Sequence, residues 1–298
     1  EANPGAIERG RFAEYRAAGV NRISLGAQSF DDRALEALGR IHDARETNQA
    51  VAELIAAGFE NFNLDLMYGL PGQSVAAAIA DLERALQLDP THISHYQLTL
   101  EPGNVFYRRP HRVPDADAAY EMQLECQTRL AARGFAQYEV SAYAMPGFAC
   151  RHNLNYWRFG DYLGIGAGAH GKWTEPATPR IVRTVRCRHP REYLAAARPA
   201  DRVAAVTEVS RVDRPFEYLL NVLRLRESFT AASFEARTGL PLDVIARPLA
   251  TACDRGLLCE PASSQWQVTE LGRRFLNDLQ ALFLPDENSG ALAPAGLA

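Results

Sequence analysis

The chain has 298 residues, of which 47% are hydrophobic and 23% charged, a composition typical of a soluble globular protein with one large and one small domain. Its formal net charge of −4 argues against general nucleic-acid binding, and it contains no apolar run of membrane-spanning length. We therefore expect a cytoplasmic protein.

Cysteine spacing argues against two common kinds of site. No pair of cysteines has Cys-x-x-Cys spacing, so neither a disulfide framework nor a zinc site is predicted. The cysteines are Cys126, Cys150, Cys187, Cys253 and Cys259.

The first part of the chain alternates between predicted helices and predicted strands, at roughly 30 residues per unit, as in a parallel sheet or βα barrel. Helices are predicted at 5–18, from Asp31 to near Gly39, after the capping-box pair Asp43 and Glu46, after Ser74, and at 115–133. Strands are predicted at 21–28, 61–67 and 92–100.

Polar residues stand where successive strands end. They are Glu1, Gln28, Asp65 and Gln97. Ligands of such folds bind at the carboxyl ends of the strands. Each residue alone is explained as a turn residue or a cap, but four in succession favour a polar ligand.

A further strand is predicted at 135–144. Residues 150–172, which follow it, contain a polar and aromatic string and then a run rich in glycine and alanine. The string is His152-Asn153-Leu154-Asn155-Tyr156-Trp157, and by itself it is typical of a polar loop. The run from Gly164 to Gly168 can approach a large ligand closely because no Cβ intervenes, although it does not match the dinucleotide fingerprint. Together the two halves favour a bound cofactor.

Residues 180–191 contain five arginines, which indicate either a carboxylate-binding stripe or, preferably, a solvated strand with one or two functional arginines.

The carboxyl-terminal part of the chain resembles a winged helix. Helices are predicted at 213–226, 230–238 and 241–255, strands at 257–260 and 265–268, and a last helix after Thr269. Because the recognition-helix region carries little positive charge, we expect it to serve domain packing. Residues 285–298 are predicted to be a disordered tail.

The motifs resemble, in combination, the radical S-adenosylmethionine (SAM) proteins related to oxygen-independent coproporphyrinogen III oxidase. The resemblance runs from residue 1 to about 284 and rests on the segments 1–4, 25–30, 38–42, 63–71 and 152–170. It implies an α/β fold in which a partial (β/α)6 barrel, with its first two strands missing, precedes a small winged-helix-like domain. The implied domains are 1–200, which is the barrel part plus a heme-associated segment, 201–284, and the tail.

The resemblance also implies that Glu1 closes the third barrel strand and that roughly 100 further residues precede it. That upstream part is expected to carry the Cys-x-x-x-Cys-x-x-Cys loop that binds a [4Fe–4S] cluster, so the cluster cysteines are not expected in this chain. Within this chain, the implied SAM contacts are Glu1, Gln28, Arg40 and Asp65, with Gln97, Gly164 and Gly166 as looser candidates on the adenine side.

Within that family, the string at 152–157 resembles the heme chaperones. This implies a protein that holds heme, a [4Fe–4S] cluster and SAM and transfers heme to acceptor proteins, with His152 as the candidate iron ligand and Tyr156 beside the porphyrin. His170 and Cys150 are alternative ligands. A homodimer is a further expectation, as is membrane association through acceptors only.

Two other functions stay open from the sequence. One is an enzyme, coproporphyrinogen III dehydrogenase, which converts propionate side chains to vinyl groups by radical decarboxylation. The other is an inert truncated copy.

Overall fold

The structure is a computed structural model that describes residues 1–5, 10–100, 112–175 and 180–285. The chain forms two compact units, at 1–149 and 150–298. The predicted division at 200/201 differs from this one and stays a prediction, and residues 286–298 of the predicted tail lie outside the described residues.

The first unit is an α/β structure, as predicted. Its helices are α1 (Phe12–Ala17), α2 (Asp32–Ala37), α3 (Ala44–Ala56), α4 (Val75–Leu86) and α5 (Ala116–Ala132). Its strands are β1 (Ile23–Gln28), β2 (Phe62–Tyr68), β3 (His92–Gln97), β4 (Ala136–Gln137) and β5 (Ala142–Ala144). The predicted capping box is confirmed, since Asp43 accepts from the backbone of Glu46 and the Glu46 side chain accepts from the backbone of Asp43.

The five strands form one sheet in the order β1-β2-β3-β5-β4. β1, β2 and β3 are parallel, and Ala2 adds an isolated parallel bridge to Leu25. One face of this sheet packs against the helices through fully buried side chains such as Leu25, Leu64 and Ile93. The carboxyl ends of the three parallel strands therefore lie at one edge, as the sequence predicted.

Two predicted strands differ from the observed ones by more than two residues at an end or in number. The strand predicted at 92–100 ends at Gln97, and the single strand predicted at 135–144 is wrong. That segment forms β4 and β5, which pair with each other in antiparallel orientation, and β5 pairs antiparallel with β3. The chain turns back between them, where Tyr138 N donates to Ala142 O at 3.1 Å.

The second unit contains two further sheets. Its helices are α6 (Arg151–Trp157), α7 (Pro190–Ala195), α8 (Arg214–Val222), α9 (Ala231–Thr238), α10 (Ala246–Asp254), α11 (Glu270–Arg274) and α12 (Leu276–Ala281), with 3-10 helices at Pro199–Arg202 and Leu242–Ile245. Its strands are β6 (His170–Glu175), β7 (Arg180–Arg186), β8 (Val203–Val209), β9 (Phe229–Thr230), β10 (Leu258–Ala262) and β11 (Gln265–Val268).

The winged-helix-like arrangement predicted for the carboxyl-terminal part is confirmed. Helices α8, α9 and α10 precede the antiparallel pair β10 and β11, to which β9 adds a third strand. Tyr218, Phe234 and Trp266 lie in the core that they share. The single helix predicted at 241–255 is instead a 3-10 helix followed by α10.

A buried lysine, the only lysine in the sequence, holds the turn that follows α6. Lys172 is 2% exposed, and its Nζ donates to Phe159 O at 3.0 Å, to Gly160 O at 3.4 Å and to Asp161 Oδ1 at 3.0 Å. Phe159 has a φ of 56°, a conformation that is uncommon for a residue with a Cβ. Lys172 therefore stabilises a strained turn between α6 and β6.

Across the described ranges, no helix is both long and apolar enough to span a bilayer.

Candidate functional site

The polar side chains of the five-stranded sheet are concentrated on the face opposite its helices. Side chains alternate between the two faces of a strand, so every second residue belongs to this face. Its polar members are Ser24 and Gln28 of β1, Asn63 and Asp65 of β2, and His92, Ser94 and Tyr96 of β3. A sheet face of this composition is suited to a polar ligand.

Gln28 is turned onto this face by an irregularity in β1. The pairing of β1 with β2 shifts register between Leu25 and Gln28, and Gln28 has a φ of 67°. A bulge of this kind re-aims a side chain and is common beside active sites. Gln28 is 5% exposed, and the Tyr96 hydroxyl donates to its Oε1 at 2.7 Å.

Asp65 lies at the centre of the polar face. Asn63 Nδ2 donates to its Oδ1 at 2.7 Å, and Ser24 Oγ donates to its Oδ2 at 3.3 Å. Burial raises the pKa of Asp65, hydrogen bonds from Asn63, Ser94 and Ser24 oppose this rise, and the negative charge of Glu1 adds to it. A bound cation, or hydroxyl groups that donate to the carboxylate, would relieve the cost of burial.

Two exposed predicted contacts, Glu1 and Arg40, also belong to this neighbourhood. Burial raises the pKa of Tyr96, Asp65 adds to that rise, and Arg40 and the hydrogen bond with Gln28 oppose it. Gln28 is hydrogen-bonded to Tyr96, the charges of Asp65 and Arg40 act on Tyr96, and the charge of Glu1 acts on Asp65, whereas the contact of these four residues with SAM stays a prediction.

Gln97 has a different setting. It is exposed at the end of β3, and a Cβ added to Gly69 would lie 3.3 Å from its Cγ. Its role toward the adenine stays a prediction.

The sequence analysis missed three side chains of this face: Tyr96, Asn63 and His92. His92 Nδ1 lies 2.6 Å from Asn63 Oδ1, and its Nε2 lies 2.8 Å from the Tyr138 hydroxyl. Burial, assisted by Arg22, lowers the pKa of His92 to about 3, so this imidazole is neutral. The signal that would have found these residues is the alternation of polar side chains along β2 and β3.

In the second unit, helix α6 carries the predicted heme residues. None of its residues is buried, and His152 and Tyr156 are both exposed. Residues four positions apart lie on the same helix face. The imidazole and the phenol therefore share one accessible surface.

An aromatic cluster surrounds Tyr156. Its ring lies 5.0 Å from that of Tyr162 and 5.2 Å from that of Trp157, and the guanidinium of Arg224 lies 4.2 Å from the Trp157 ring. Trp157 Nε1 is buried, and no acceptor for it exists in the part of the chain that the structure describes. Leu163 and Ile165, which follow Tyr162, are 77% and 82% exposed. Aromatic and aliphatic surface of this kind is suited to a porphyrin.

The histidines differ in their access to a ligand. Of those in the described ranges, His42, His92 and His95 are buried, whereas His152, His170 and His189 are exposed. The alternative ligand Cys150 is buried. His170, at the start of β6, is therefore the stronger of the two alternatives to His152.

Gly164 and Gly166 are the two glycines predicted to contact SAM, and close packing explains why residue 164 is a glycine. Gly164 is buried, and a Cβ there would lie 2.4 Å from His170 O. Gly166 has a φ of 109° and donates its N–H to the Tyr193 hydroxyl at 3.2 Å. Gly164 therefore allows close packing against β6, and the contact of either glycine with SAM stays a prediction.

The arginines of β7 are engaged within the second unit. Arg180 Nε donates to Glu208 at 2.8 Å, Arg183 is paired with Glu217, and Arg186 Nε donates to Gly164 O at 3.0 Å. These contacts favour the predicted strand over a carboxylate-binding stripe.

No metal-ligating group stands out on the described part of the chain. No three His, Cys, Asp or Glu side chains there are placed to hold a metal ion, and no disulfide joins any of the five cysteines. The residues present therefore do not fit a [4Fe–4S] cluster, and we assign it no ligands. The hydrogen-bond donors and the Asp65 carboxylate of the polar sheet face do fit polar groups of SAM such as its ribose hydroxyls and its amino group.

Comparison with known families and proteins identifies the chain's relatives. The model of the radical SAM superfamily matches residues 1–85, and the model of the HemN C-terminal domain matches residues 209–275. The chain is 48% identical over 286 residues to the heme chaperone HemW of Escherichia coli (strain K12), covering 96% of this chain and 74% of that protein. It is 47% identical over 287 residues to the heme chaperone HemW of Haemophilus influenzae, covering 96% of this chain and 73% of that protein.

Among solved structures, coproporphyrinogen III oxidase (HemN) from Escherichia coli, a radical SAM enzyme, matches with a TM-score of 0.76 at 20% identity. The match covers 95% of this chain and 68% of that one. This likeness confirms the predicted fold. The sequence relatives and the matching domain model show that the chain belongs to the HemW family within the radical SAM superfamily.

Proposed function

We propose that the protein is a heme chaperone that binds heme at α6 and SAM on the polar face of its five-stranded sheet. The observation that carries this proposal is the pairing of His152 and Tyr156 on one exposed face of a helix with no buried residue. Neutral imidazole is a common axial ligand of heme iron.

The proposed SAM site assigns one task to each contact. The Arg40 guanidinium pairs with the methionine carboxylate, because its planar donors match that group. Asp65 accepts from the ribose hydroxyls, Gln28 hydrogen-bonds a polar edge of the ligand, and Glu1 offsets its positive charge. Gln97 and the turn at Gly164 and Gly166 stay looser candidates for the adenine.

The superfamily implies a [4Fe–4S] cluster, which supplies electrons for SAM chemistry when it is bound. What this chain supplies is binding and orientation of SAM.

Exposure of the heme ligand suits delivery of heme rather than its retention. An imidazole on a helix surface holds the iron from one side only, which leaves the other axial position to a ligand of the acceptor. The proposal therefore includes heme-acceptor proteins as partners. The cytoplasmic location and the homodimer stay predictions.

Heme titration of the purified protein, followed by Soret absorbance and tryptophan fluorescence, tests this proposal. We expect saturable one-site binding, which His152→Ala weakens at least tenfold or shifts in its Soret band, because the variant lacks the iron ligand. Heme bound beside Trp157 also quenches that fluorophore. His189→Ala is the matched control, since it removes another exposed imidazole, from the amino-terminal cap of α7.

Three results would contradict parts of the proposal. Binding that His152→Ala leaves unchanged would move the ligand elsewhere, with His170→Ala as the next variant. Absence of saturable binding would overturn the chaperone function. Vinyl products formed from coproporphyrinogen III would instead establish the dehydrogenase.

A further inference from the structure

We propose that Tyr96 is a positioning residue for SAM, and that its hydroxyl fixes the direction in which the Gln28 amide faces the ligand. This inference rests on the proposed SAM site. It adds a residue that the sequence analysis did not include and assigns a hydrogen-bonding role to Gln28.

The first constraint acts on the oxygen of the amide. The Tyr96 hydroxyl donates to Gln28 Oε1 at 2.7 Å. A primary amide has an accepting oxygen and a donating nitrogen, and the bond from Tyr96 fixes the oxygen end of the Gln28 amide toward the phenol. Gln28 is therefore left to present the N–H groups of Nε2, so it acts as a hydrogen-bond donor toward SAM.

The second constraint acts on the nitrogen of the amide. A Cβ built at Gly26 would lie 2.9 Å from Gln28 Nε2 and 3.4 Å from Asn3 Oδ1. The amide nitrogen therefore fills space that is open only because residue 26 has no side chain. Tyr96 on one end and Gly26 beneath the other hold the amide in one orientation.

The position of Tyr96 makes its effect selective. Tyr96 lies two residues beyond Ser94, which pairs with Asp65 in the sheet, so the phenol shares the polar face with Asp65. The charges of Asp65 and Arg40 both act on the pKa of Tyr96. Asp65 has its own hydrogen bonds from Asn63 and Ser24, and these do not involve Tyr96. Removal of the Tyr96 hydroxyl should therefore free the Gln28 amide and leave the Asp65 carboxylate in place.

A double-mutant cycle measured by calorimetric titration with SAM tests the inference. Tyr96→Phe should weaken SAM binding about tenfold, the scale of one well-placed hydrogen bond. Gln28→Ala should weaken it at least as much, and the double variant should bind no more weakly than Gln28→Ala alone, because Tyr96 acts through Gln28. Gly26→Ala should also weaken binding, since its methyl group displaces the amide.

Tyr143→Phe is the matched control. It removes a buried phenol hydroxyl that accepts from Gln127 at 3.1 Å, and Tyr143 belongs to the core cluster on the helix-facing side. We expect its SAM affinity to equal that of the wild type. Heme binding in the second unit should be unchanged in all four single variants, which separates loss of SAM contacts from loss of folding.

The outcomes distinguish this inference from the proposed function. If Gln28→Ala weakens binding but Tyr96→Phe does not, the positioning role of Tyr96 is overturned and the SAM site stands. Additive losses in the double variant would also overturn it, because Tyr96 would then act without Gln28. If the wild type binds no SAM, the proposed site and the inference both fail.

Discussion

Replacing Asp65 with asparagine is expected to weaken SAM binding about 10- to 100-fold while leaving the protein at least as stable as the wild type. The loss is the scale of hydrogen bonds to a charged acceptor, about 1.5–3 kcal/mol. Asparagine has the same shape, and it keeps an oxygen that can accept from Asn63 Nδ2. Burial raises the pKa of Asp65, so its charged carboxylate destabilises the folded state. Replacing it with a neutral amide is therefore not expected to lower the free energy of unfolding.

The pH dependence follows from the direction of that shift. A carboxyl group with a raised folded-state pKa binds its proton more tightly in the folded chain than in the unfolded chain, so its cost is fully present above the folded-state pKa. The cost disappears as pH falls below the ordinary value of 3.8. Asp65→Asn should therefore exceed the wild type in stability at neutral pH, and this difference should vanish in acid. SAM affinity of the wild type should fall as Asp65 is protonated.

Calorimetric titration with SAM and urea unfolding across a pH series measure both effects. The matched control is Asp254→Asn, which changes an exposed carboxylate at the end of α10. Unchanged SAM affinity in Asp65→Asn would remove this carboxylate from the proposed site. A large loss of stability would show that it is a folding residue instead.

Lys172→Met should lower the free energy of unfolding of the second unit by about 2–4 kcal/mol, because two carbonyl groups and a carboxylate lose their donor. Methionine keeps much of the length and apolar stem of lysine but donates no hydrogen bond. Phe159 O and Gly160 O would then face a buried thioether, and Asp161 would lose its cation. Since this turn follows α6 and leads into Tyr162, heme binding should weaken as well.

Tryptophan fluorescence during urea unfolding measures this effect selectively. All three tryptophans, Trp157, Trp173 and Trp266, belong to the second unit. Asp161→Asn is the graded control, because it removes the negative charge that faces Lys172 Nζ and leaves both carbonyl contacts intact. A stability equal to that of the wild type in Lys172→Met would show that solvent or a repacked turn satisfies the carbonyl groups.

Local sequence signals predicted the elements of the first unit well. Asp43 with Glu46, and Ser74 before α4, mark helix starts through side-chain caps that depend on a few neighbouring residues. The apolar alternation of β1 and β2 reflects burial of one face. Both kinds of signal lie within a short stretch of sequence, so they can be recognised without knowledge of the fold.

The missed features depend on distant pairing. The strand at 135–144 divides because β5 must run antiparallel to β3, which no local pattern specifies. The bulge that turns Gln28 is defined by the register of β1 against β2, and its partner Tyr96 is 68 residues away in sequence. The heme roles of His152 and Tyr156 are implied by the resemblance of the string to the heme chaperones, but only the helix shows that the two residues share one face.

The burial of Lys172 has a consequence for covalent chemistry on this protein. Lys172 is the only lysine of the sequence, so it carries the only side-chain amine here that acylating reagents and amine-directed cross-linkers can modify. Three hydrogen-bond acceptors surround this amine, and the Phe159 ring lies 4.0 Å from it. Within residues 1–298, such reagents therefore meet no exposed lysine in the folded chain. Modification of Lys172 requires the turn at Phe159 to open. The extent of Lys172 labelling, measured by mass spectrometry, therefore reports local opening of the second unit at a single residue.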